Sequence, residues 1–169
     1  MEELEEKIVL VDREDNVIST DKKLNCHTGE GELHRGLEIF LFDNLGRLLI
    51  QKRSGKKPWP HYWDGTAGHP RLSESYEESG KRRLKEELGI SAELSKAFTF
   101  RYHATCGDYT EREVCTLLQG HSDGPPVLNL DEVSEVRYVY LDELRKDIEQ
   151  NPGKYTPWFR IALDKFWDG

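Results

Sequence analysis

The stretch GHPRLSESYEESGKRRLKEELGI, residues 68–90, decides the fold of this chain. Within it, residues 74–88 have the apolar spacing of an amphipathic helix. The apolar side chains that share one face of that helix are Tyr76, Leu84 and Leu88. Ser73 precedes the segment, and Gly89 stands where a helix commonly ends in a left-handed residue. We therefore predict a helix over residues 74–88 with Ser73 before it and Gly89 as its C-terminal cap.

Charged residues recur along the same helix. Glu78, Arg82 and Glu86 are four apart, which places them on one side, and Glu87 follows at the C-terminal end. Hard divalent cations prefer carboxylate oxygens and often bridge to phosphates, so this side could hold a metal ion and a phosphorylated substrate. The alternative is a solvated helix whose Glu and Arg residues form ordinary ion pairs.

Composition restricts the class of protein. The chain has 169 residues, 36% of them hydrophobic and 33% charged, which suits one globular domain over residues 1–169. The net charge of −8 disfavours nucleic acid as a partner. Three cysteines without metal-site pairing, no secretory signal and no long apolar stretch favour a cytoplasmic protein that does not use a membrane.

Other segments predict strands and further helices. Residues 7–11 and a turn at residues 12–16 predict an opening hairpin, and residues 37–42 and 48–52 flank a second turn. Three more strands are predicted at residues 98–103, 112–119 and 136–140, and closing helices at residues 141–150 and 158–167. The fold class is α+β, a mixed, mostly antiparallel sheet flanked by helices.

Residues 68–90 resemble the Nudix box, G-x5-E-x7-R-E-U-x-E-E-x-G-U, in which U is a bulky aliphatic residue. Every defining position matches except one, because Arg83 stands where the box has the Glu that follows its Arg. The resemblance implies the Nudix fold and a substrate that contains a diphosphate.

Nearly the whole chain also resembles type 1 isopentenyl diphosphate isomerase, a Nudix-fold enzyme family that shares the Arg83 departure. The matching pieces are His27-x6-His34, Lys52-Arg53, Lys56-Lys57, Trp59-Pro60, Trp63, Gly68-His69-Pro70, Arg82-Arg83, Glu111-Arg112-Glu113-Val114-Cys115 and Pro157-Trp158.

This second resemblance implies a metal centre. Its predicted ligands are His27, His34, His69, Glu111 and Glu113, with Glu87 near a further Mg²⁺ carried by the substrate. On a strand, Glu111 and Glu113 share one face, as two ligands of one ion must. We expect Mg²⁺ or Mn²⁺ as cofactor, while the His nitrogens also suit Zn²⁺ or Fe²⁺.

The resemblance also implies how a small diphosphate substrate is bound. The predicted substrate-binding residues are Lys23, Arg53, Lys56, Lys57, Arg82, Arg83 and Trp158. Arginine offers bidentate contacts to phosphate, and lysine offers a mobile charge. Trp158 and Tyr102 correspond to aromatic residues that border the carbocation-like part of the isomerase substrate, although core packing explains Trp158 equally well.

One isomerase residue is missing. The family has a catalytic Cys immediately before its Gly-His-Pro turn, and here that position is Ala67, which has no proton to transfer. We therefore favour a metal-dependent hydrolase of a nucleoside diphosphate derivative or prenyl diphosphate, with Glu86, Glu87, Glu113 and Tyr102 as catalytic candidates. Two alternatives remain: an isopentenyl diphosphate isomerase with a displaced acid, and a binding module without activity.

Overall fold

The computed structural model describes residues 5–169. Nine strands and four α-helices lie within that range. The strands are β1 (Lys7–Val11), β2 (Val17–Lys22), β3 (His34–Phe42), β4 (Leu48–Arg53), β5 (Trp63–Asp64), β6 (Thr66–Gly68), β7 (Leu94–Cys106), β8 (Tyr109–His121) and β9 (Val133–Val139). The helices are α1 (Lys23–Cys26), α2 (Tyr76–Leu88), α3 (Leu141–Gln150) and α4 (Pro157–Asp168), with a 3₁₀ turn at Pro152–Lys154.

Helix α2 starts two residues later than predicted. Its N-cap is Ser75, whose hydroxyl accepts a hydrogen bond from the Glu78 backbone N–H while the Glu78 carboxylate reaches back to the Ser75 backbone. This reciprocal capping box satisfies two free backbone donors, which Ser73 does not do. The predicted end is confirmed, because Gly89 has the left-handed conformation, φ 62°, that glycine adopts at low cost.

The cap makes a first prediction. Ser75→Ala should lower the free energy of unfolding by about 1 kcal/mol, because it removes the acceptor for a free N–H in the first turn. Ser73→Ala is the matched control and should change stability by less than about 0.5 kcal/mol. Urea unfolding of both variants measures the difference, and equal losses would show that Ser75 is not the effective cap.

Strand β3 lies at the centre of the sheet. It pairs in parallel with β8 from His34↔Glu113 to Phe42↔His121, and antiparallel with β6 and β1. The predicted opening hairpin is present as β1 and β2. The second predicted turn, between residues 37–42 and 48–52, also joins two antiparallel strands, β3 and β4. Their pairing is short, because they meet only at Phe42↔Leu48 and β4 then pairs with β5 and β9.

The central strand β3 is buried on both faces. Leu37, Ile39 and Leu41 of β3 pack with Leu84 and Leu88 of helix α2. The opposite face belongs to a second cluster, and its buried helical members are Leu144 of α3 and Trp158, Phe159, Ala162 and Leu163 of α4. Side chains that alternate along a strand point to opposite faces, so the residues of β3 between the three aliphatic ones face this second side.

The predicted α+β class and mixed sheet are confirmed, and the element limits differ at their ends. Strands β7 and β8 are each longer than predicted because they form one continuous antiparallel pair from Leu94↔Gly120 to Cys106↔Tyr109. Strand β9 ends one residue before Tyr140, helix α3 has its predicted limits, and α4 is longer by one residue at each end. Across residues 5–169 no helix has the length and apolarity needed to cross a membrane. The cytoplasmic location and the single domain over the whole chain stay predictions.

Candidate metal and diphosphate site

Strand register brings the predicted metal ligands together. His34 on β3 is the direct neighbour of Glu113 on β8, and Glu111 lies two residues earlier on the same face of β8. His69 directly follows β6, which also pairs with β3, and His27 follows the short helix α1. Five residues that are distant in sequence therefore converge at one end of β3.

Glu111 occupies the middle of this cluster. Its carboxylate oxygens lie 2.7 Å from His27 Nε2, 3.4 Å from His34 Nε2 and 3.8 Å from His69 Nε2. Donor atoms of these four residues all lie within 4.8 Å of one another. Glu113 Oε2 adjoins the group, 3.2 Å from His69 Nε2 and 3.4 Å from His34 Nε2. Ligands of one ion at roughly 2.0–2.4 Å have this mutual spacing.

The surroundings of two histidines suit a metal ion. Nδ1 of His27 lies 2.6 Å from the Lys23 carbonyl oxygen, and Nδ1 of His34 lies 2.7 Å from the Glu32 carbonyl oxygen. A carbonyl can only accept, so each Nδ1 carries a proton, and Nε2 is the ring nitrogen that faces the cluster. Both Nε2 atoms are buried and make no hydrogen bond of good geometry. Buried nitrogens left in this state fit a divalent cation.

Gly36 makes room for the fifth residue. A Cβ at this position would lie 1.9 Å from Glu113 Oε1, so only glycine allows the Glu113 side chain to cross β3 toward the histidines. The sequence analysis did not identify Gly36, because a single glycine in a strand does not reveal what passes over it.

The cluster is a strongly coupled set of acids and bases. Burial lowers the pKa of His34, but the Glu111 and Glu113 carboxylates raise it more, to about 10. Burial and the neighbouring Glu111 charge raise the pKa of Glu113, whereas the pKa of Glu111 is raised by burial but held low overall by Glu113 and the facing histidines. Without an ion the cluster therefore carries protons that a cation would displace, so binding weakens as pH falls.

A cleft of about 740 Å³ opens above these residues. It is lined by every predicted substrate-binding residue, namely Lys23, Arg53, Lys56, Lys57, Arg82, Arg83 and Trp158, and by His69, Tyr102, Glu111 and Glu113. The cations and the carboxylates thus face one cavity. Such a distribution suits a ligand that is anionic at one end and reaches the metal cluster.

Most of the cleft cations already have acidic partners. Lys57 Nζ lies 2.5 Å from Glu132, and Lys56 pairs with Asp131. Arg82 binds Glu74 at 2.7 Å and also lies 3.4 Å from Glu86. These pairs hold the long side chains in place and lower the net positive charge available to an anion.

Helix α2 does not gather its carboxylates at one point, which corrects the prediction. Glu78 serves the N-terminal cap and lies outside the cleft lining. Arg83 binds both Glu86 and Glu87. Glu87 is buried and accepts a hydrogen bond from Gln51 Nε2 at 2.5 Å. Among the described residues, the group within ligand distance of one ion does not include Glu87, so its role near a second ion stays a prediction.

Aromatic side chains form part of the cleft wall, and one of them packs against a cation. The Trp158 ring lies 5.6 Å from Tyr102 and 4.8 Å from Trp59, and the Arg53 guanidinium lies 5.3 Å above it. Tyr109, which the sequence analysis did not select, stacks on His27 at 4.5 Å. Trp158 is only 4% exposed, so it serves both the core and the cleft.

Two further acids lie beneath Ala67. Glu38 pairs in register with Ala67 across β3 and β6, and Glu38 and Asp64 are both fully buried. Asp64 accepts hydrogen bonds from Trp158 Nε1 at 3.1 Å and from Arg53 at 3.2 Å. A Glu inside the otherwise apolar strand LEIFLF was the sequence signal for Glu38, and the analysis missed it.

Comparison with known proteins corrects the predicted reaction. The NUDIX domain model matches residues 32–159. The chain is 41% identical to isopentenyl-diphosphate Delta-isomerase 2 of Photorhabdus laumondii, covering 95% of this chain and 92% of the relative. It is 38% identical to isopentenyl-diphosphate Delta-isomerase 2 of Aromatoleum aromaticum, covering 96% and 87%. These names contradict our preference for a hydrolase and favour the isomerase alternative.

Solved structures agree on the fold. DR0079 from Deinococcus radiodurans superposes with a TM-score of 0.77 at 20% identity, over 95% of this chain and 98% of that one. At this sequence identity the likeness shows only that the two proteins share a fold. Taken with the extent of the sequence matches, it leads to one assignment: this chain belongs to the NUDIX domain family and is a homologue of the isopentenyl-diphosphate Delta-isomerases.

Proposed function

We propose that this chain is a divalent-metal-dependent isomerase that shifts the double bond of isopentenyl diphosphate or a closely similar small prenyl diphosphate. One observation carries the proposal: a single cleft combines a His/Glu cluster, a cationic side and an aromatic wall. A short hydrocarbon diphosphate has the matching parts, an anionic end and an apolar end. The names of the homologous proteins support this reading of the cleft.

The cationic side would bind the diphosphate. Arg53 and Arg83 present fixed guanidinium groups, which suit bidentate contacts to phosphate oxygens. Lys23, Lys56 and Lys57 add further positive charges nearby. We propose that the bound substrate competes with the acids that pair with these cations, and that Arg82 chiefly holds the helix through Glu74.

The His/Glu cluster would hold the cofactor, with Mn²⁺ or Mg²⁺ the ions we favour and Zn²⁺ or Fe²⁺ also compatible with its donors. When bound, such an ion neutralises the buried carboxylates and fixes their orientation. His27 and His34 are held ready by their Nδ1 contacts. Glu86 and Glu87 would serve a second ion carried by the diphosphate.

The proton transfers would fall to Tyr102 and Glu113, which are register partners on β7 and β8. Burial and the nearby carboxylates keep the pKa of Tyr102 high, so its hydroxyl holds a proton to give. Tyr102 would protonate the terminal alkene carbon, and Glu113 would take a proton from the neighbouring methylene carbon. Glu113 would then release that proton to solvent and Tyr102 would regain one from solvent, so no net proton is gained or lost. The Trp158 ring would stabilise the transient tertiary cation.

Arg53 gives a prediction for binding. Arg53→Gln should raise KM for the diphosphate substrate by about 10- to 100-fold with a small change in kcat, because one charge-assisted contact is lost. Arg112→Gln is the matched control, since Arg112 is exposed on the same sheet and does not line the cleft. Steady-state kinetics decide the point, and an unchanged KM would remove Arg53 from the binding site.

The reaction itself is tested by its products. Isopentenyl diphosphate incubated with the protein and Mn²⁺ or Mg²⁺ should yield its allylic isomer, detected by acid lability, without release of inorganic phosphate. Release of phosphate with no isomer, or no turnover with either ion, would refute the proposed reaction.

A further inference from the structure

Two carboxyl groups meet behind the lining of the cleft, outside the metal cluster. Glu38 lies in the middle of β3 and Asp64 at the end of β5, and neither is exposed. Gly65 follows Asp64, and a Cβ there would lie 2.2 Å from Glu38 Oε1. The absent side chain lets the Glu38 carboxyl pack against this turn, next to Asp64. Such a close buried pair needs an explanation, because ionised carboxyl groups are rarely fully buried.

Charge balance indicates one proton on the pair. Arg53 on β4 is the guanidinium that contacts it, 3.2 Å from Asp64 Oδ2. The other titratable groups that act on the pair are the Cys115 thiol on β8, a neutral group, and Glu87 on α2, a further acid. Both Glu38 oxygens are buried and make no hydrogen bond of good geometry. Two ionised carboxylates would leave an uncompensated buried negative charge, whereas one matches Arg53.

We infer that Glu38 and Asp64 share a single proton, held mainly by Glu38, and act as a positioning pair in which ionised Asp64 fixes Arg53 and Trp158 in the cleft wall. Asp64 accepts from Trp158 Nε1 at 3.1 Å through both oxygens. Arg53 is held at a second point, because its Nε donates to the Pro58 carbonyl at 2.7 Å.

The titration behaviour agrees with this arrangement. Burial and then the Asp64 charge raise the pKa of Glu38 well above 4.5. Burial raises the pKa of Asp64 too, but Arg53 opposes that rise. Glu38 is therefore the member of the pair that binds the proton more tightly.

The role of this pair in aligning the substrate rests on the proposed function. Arg53 faces the diphosphate end of the proposed substrate and Trp158 its hydrocarbon end, so one carboxylate aligns both. The pair lies behind the cleft lining near Ala67, where the family has its Cys, and we assign it positioning rather than proton transfer to substrate.

The shared proton is tested by melting temperature against pH. Glu38 has a higher pKa folded than unfolded, so its stabilising contribution is complete below about pH 4.5 and declines as pH rises. Glu38→Gln cannot titrate at this position. The melting temperature of Glu38→Gln minus that of wild type should therefore increase by at least about 4 °C from pH 5 to pH 8. Glu149→Gln, at an exposed helical site, is the control and should follow wild type. A Glu38→Gln difference constant within about 1 °C would refute the shared proton.

The positioning role is tested by a pair of variants at Asp64. Asp64→Asn and Asp64→Ala remove the same charge, but only Asn keeps an oxygen acceptor for Trp158 and Arg53. Calorimetry with inorganic diphosphate and Mg²⁺ should show about tenfold weaker binding by Asp64→Ala than by Asp64→Asn. Equal affinities would refute the positioning role. Neither experiment requires turnover, so failure of the isomerase proposal can be distinguished from failure of the positioning pair. If Asp64→Ala does not fold, the comparison of melting temperatures tests the pair by itself.

Discussion

Replacing Glu113 by Gln is expected to lower kcat for isomerisation by about 10²- to 10⁴-fold, the range lost with a positioned general base. Gln has the size of Glu and cannot take the substrate proton. The four donors within 4.8 Å of one another remain, so the metal centre should persist in this variant. A lower kcat in a variant that still binds the metal would thus show that Glu113 acts in proton transfer rather than in metal binding.

Controls make the Glu113 result specific. Glu93→Gln changes a carboxylate that is 93% exposed and lies away from the cleft, so it should retain wild-type kcat. The melting temperature of Glu113→Gln should still rise when Mn²⁺ is added. If Glu113→Gln isomerises the substrate at the wild-type rate, Glu113 is not the base.

The second large effect concerns the metal. Mn²⁺ at about 100 times its Kd should stabilise the wild-type protein by about 2.7 kcal/mol, which raises the melting temperature by about 5 to 10 °C. Glu111→Gln should lose most of this increase, because Glu111 is the carboxylate nearest to the histidine Nε2 atoms. Differential scanning calorimetry with and without Mn²⁺ measures both.

His121→Asn is the control for the metal experiment, since His121 is exposed and far from the cluster in the sheet register. The melting temperature of His121→Asn should rise with Mn²⁺ as much as that of wild type. A chelator should reverse this rise in both wild type and His121→Asn. A Glu111→Gln protein that gains as much stability as wild type would contradict the metal assignment.

Much of the site was predictable because its residues belong to motifs with fixed spacing. Glu111 and Glu113 share a face through the two-residue period of a strand, and Gly68 with His69 begins the Nudix box. Their convergence with His34 depends on the parallel pairing of β3 and β8, which is set between segments about 80 residues apart. The resemblance carried that information, whereas periodicity could not.

The remaining differences arise from long-range contacts. Sequence spacing could not reveal that Lys56 and Lys57 pair with Asp131 and Glu132 some 75 residues later. Nor could it reveal the acid pair beside Ala67, because β5 and β6 are too short to show a period. The error at Ser73 is of another kind: two serines precede the helix, and only the one three residues before a Glu can form the capping box.

The reaction type is the centre of this account, and proton NMR in deuterium oxide tests it most directly. With Mn²⁺ or Mg²⁺ and isopentenyl diphosphate, we predict the methyl signals of the allylic isomer, deuterium in the newly formed methyl group, and an intact diphosphate. Glu113→Gln under the same conditions should form the product at least about 100-fold more slowly. Free phosphate without isomer, or isomer formed equally well by Glu113→Gln, would contradict the account.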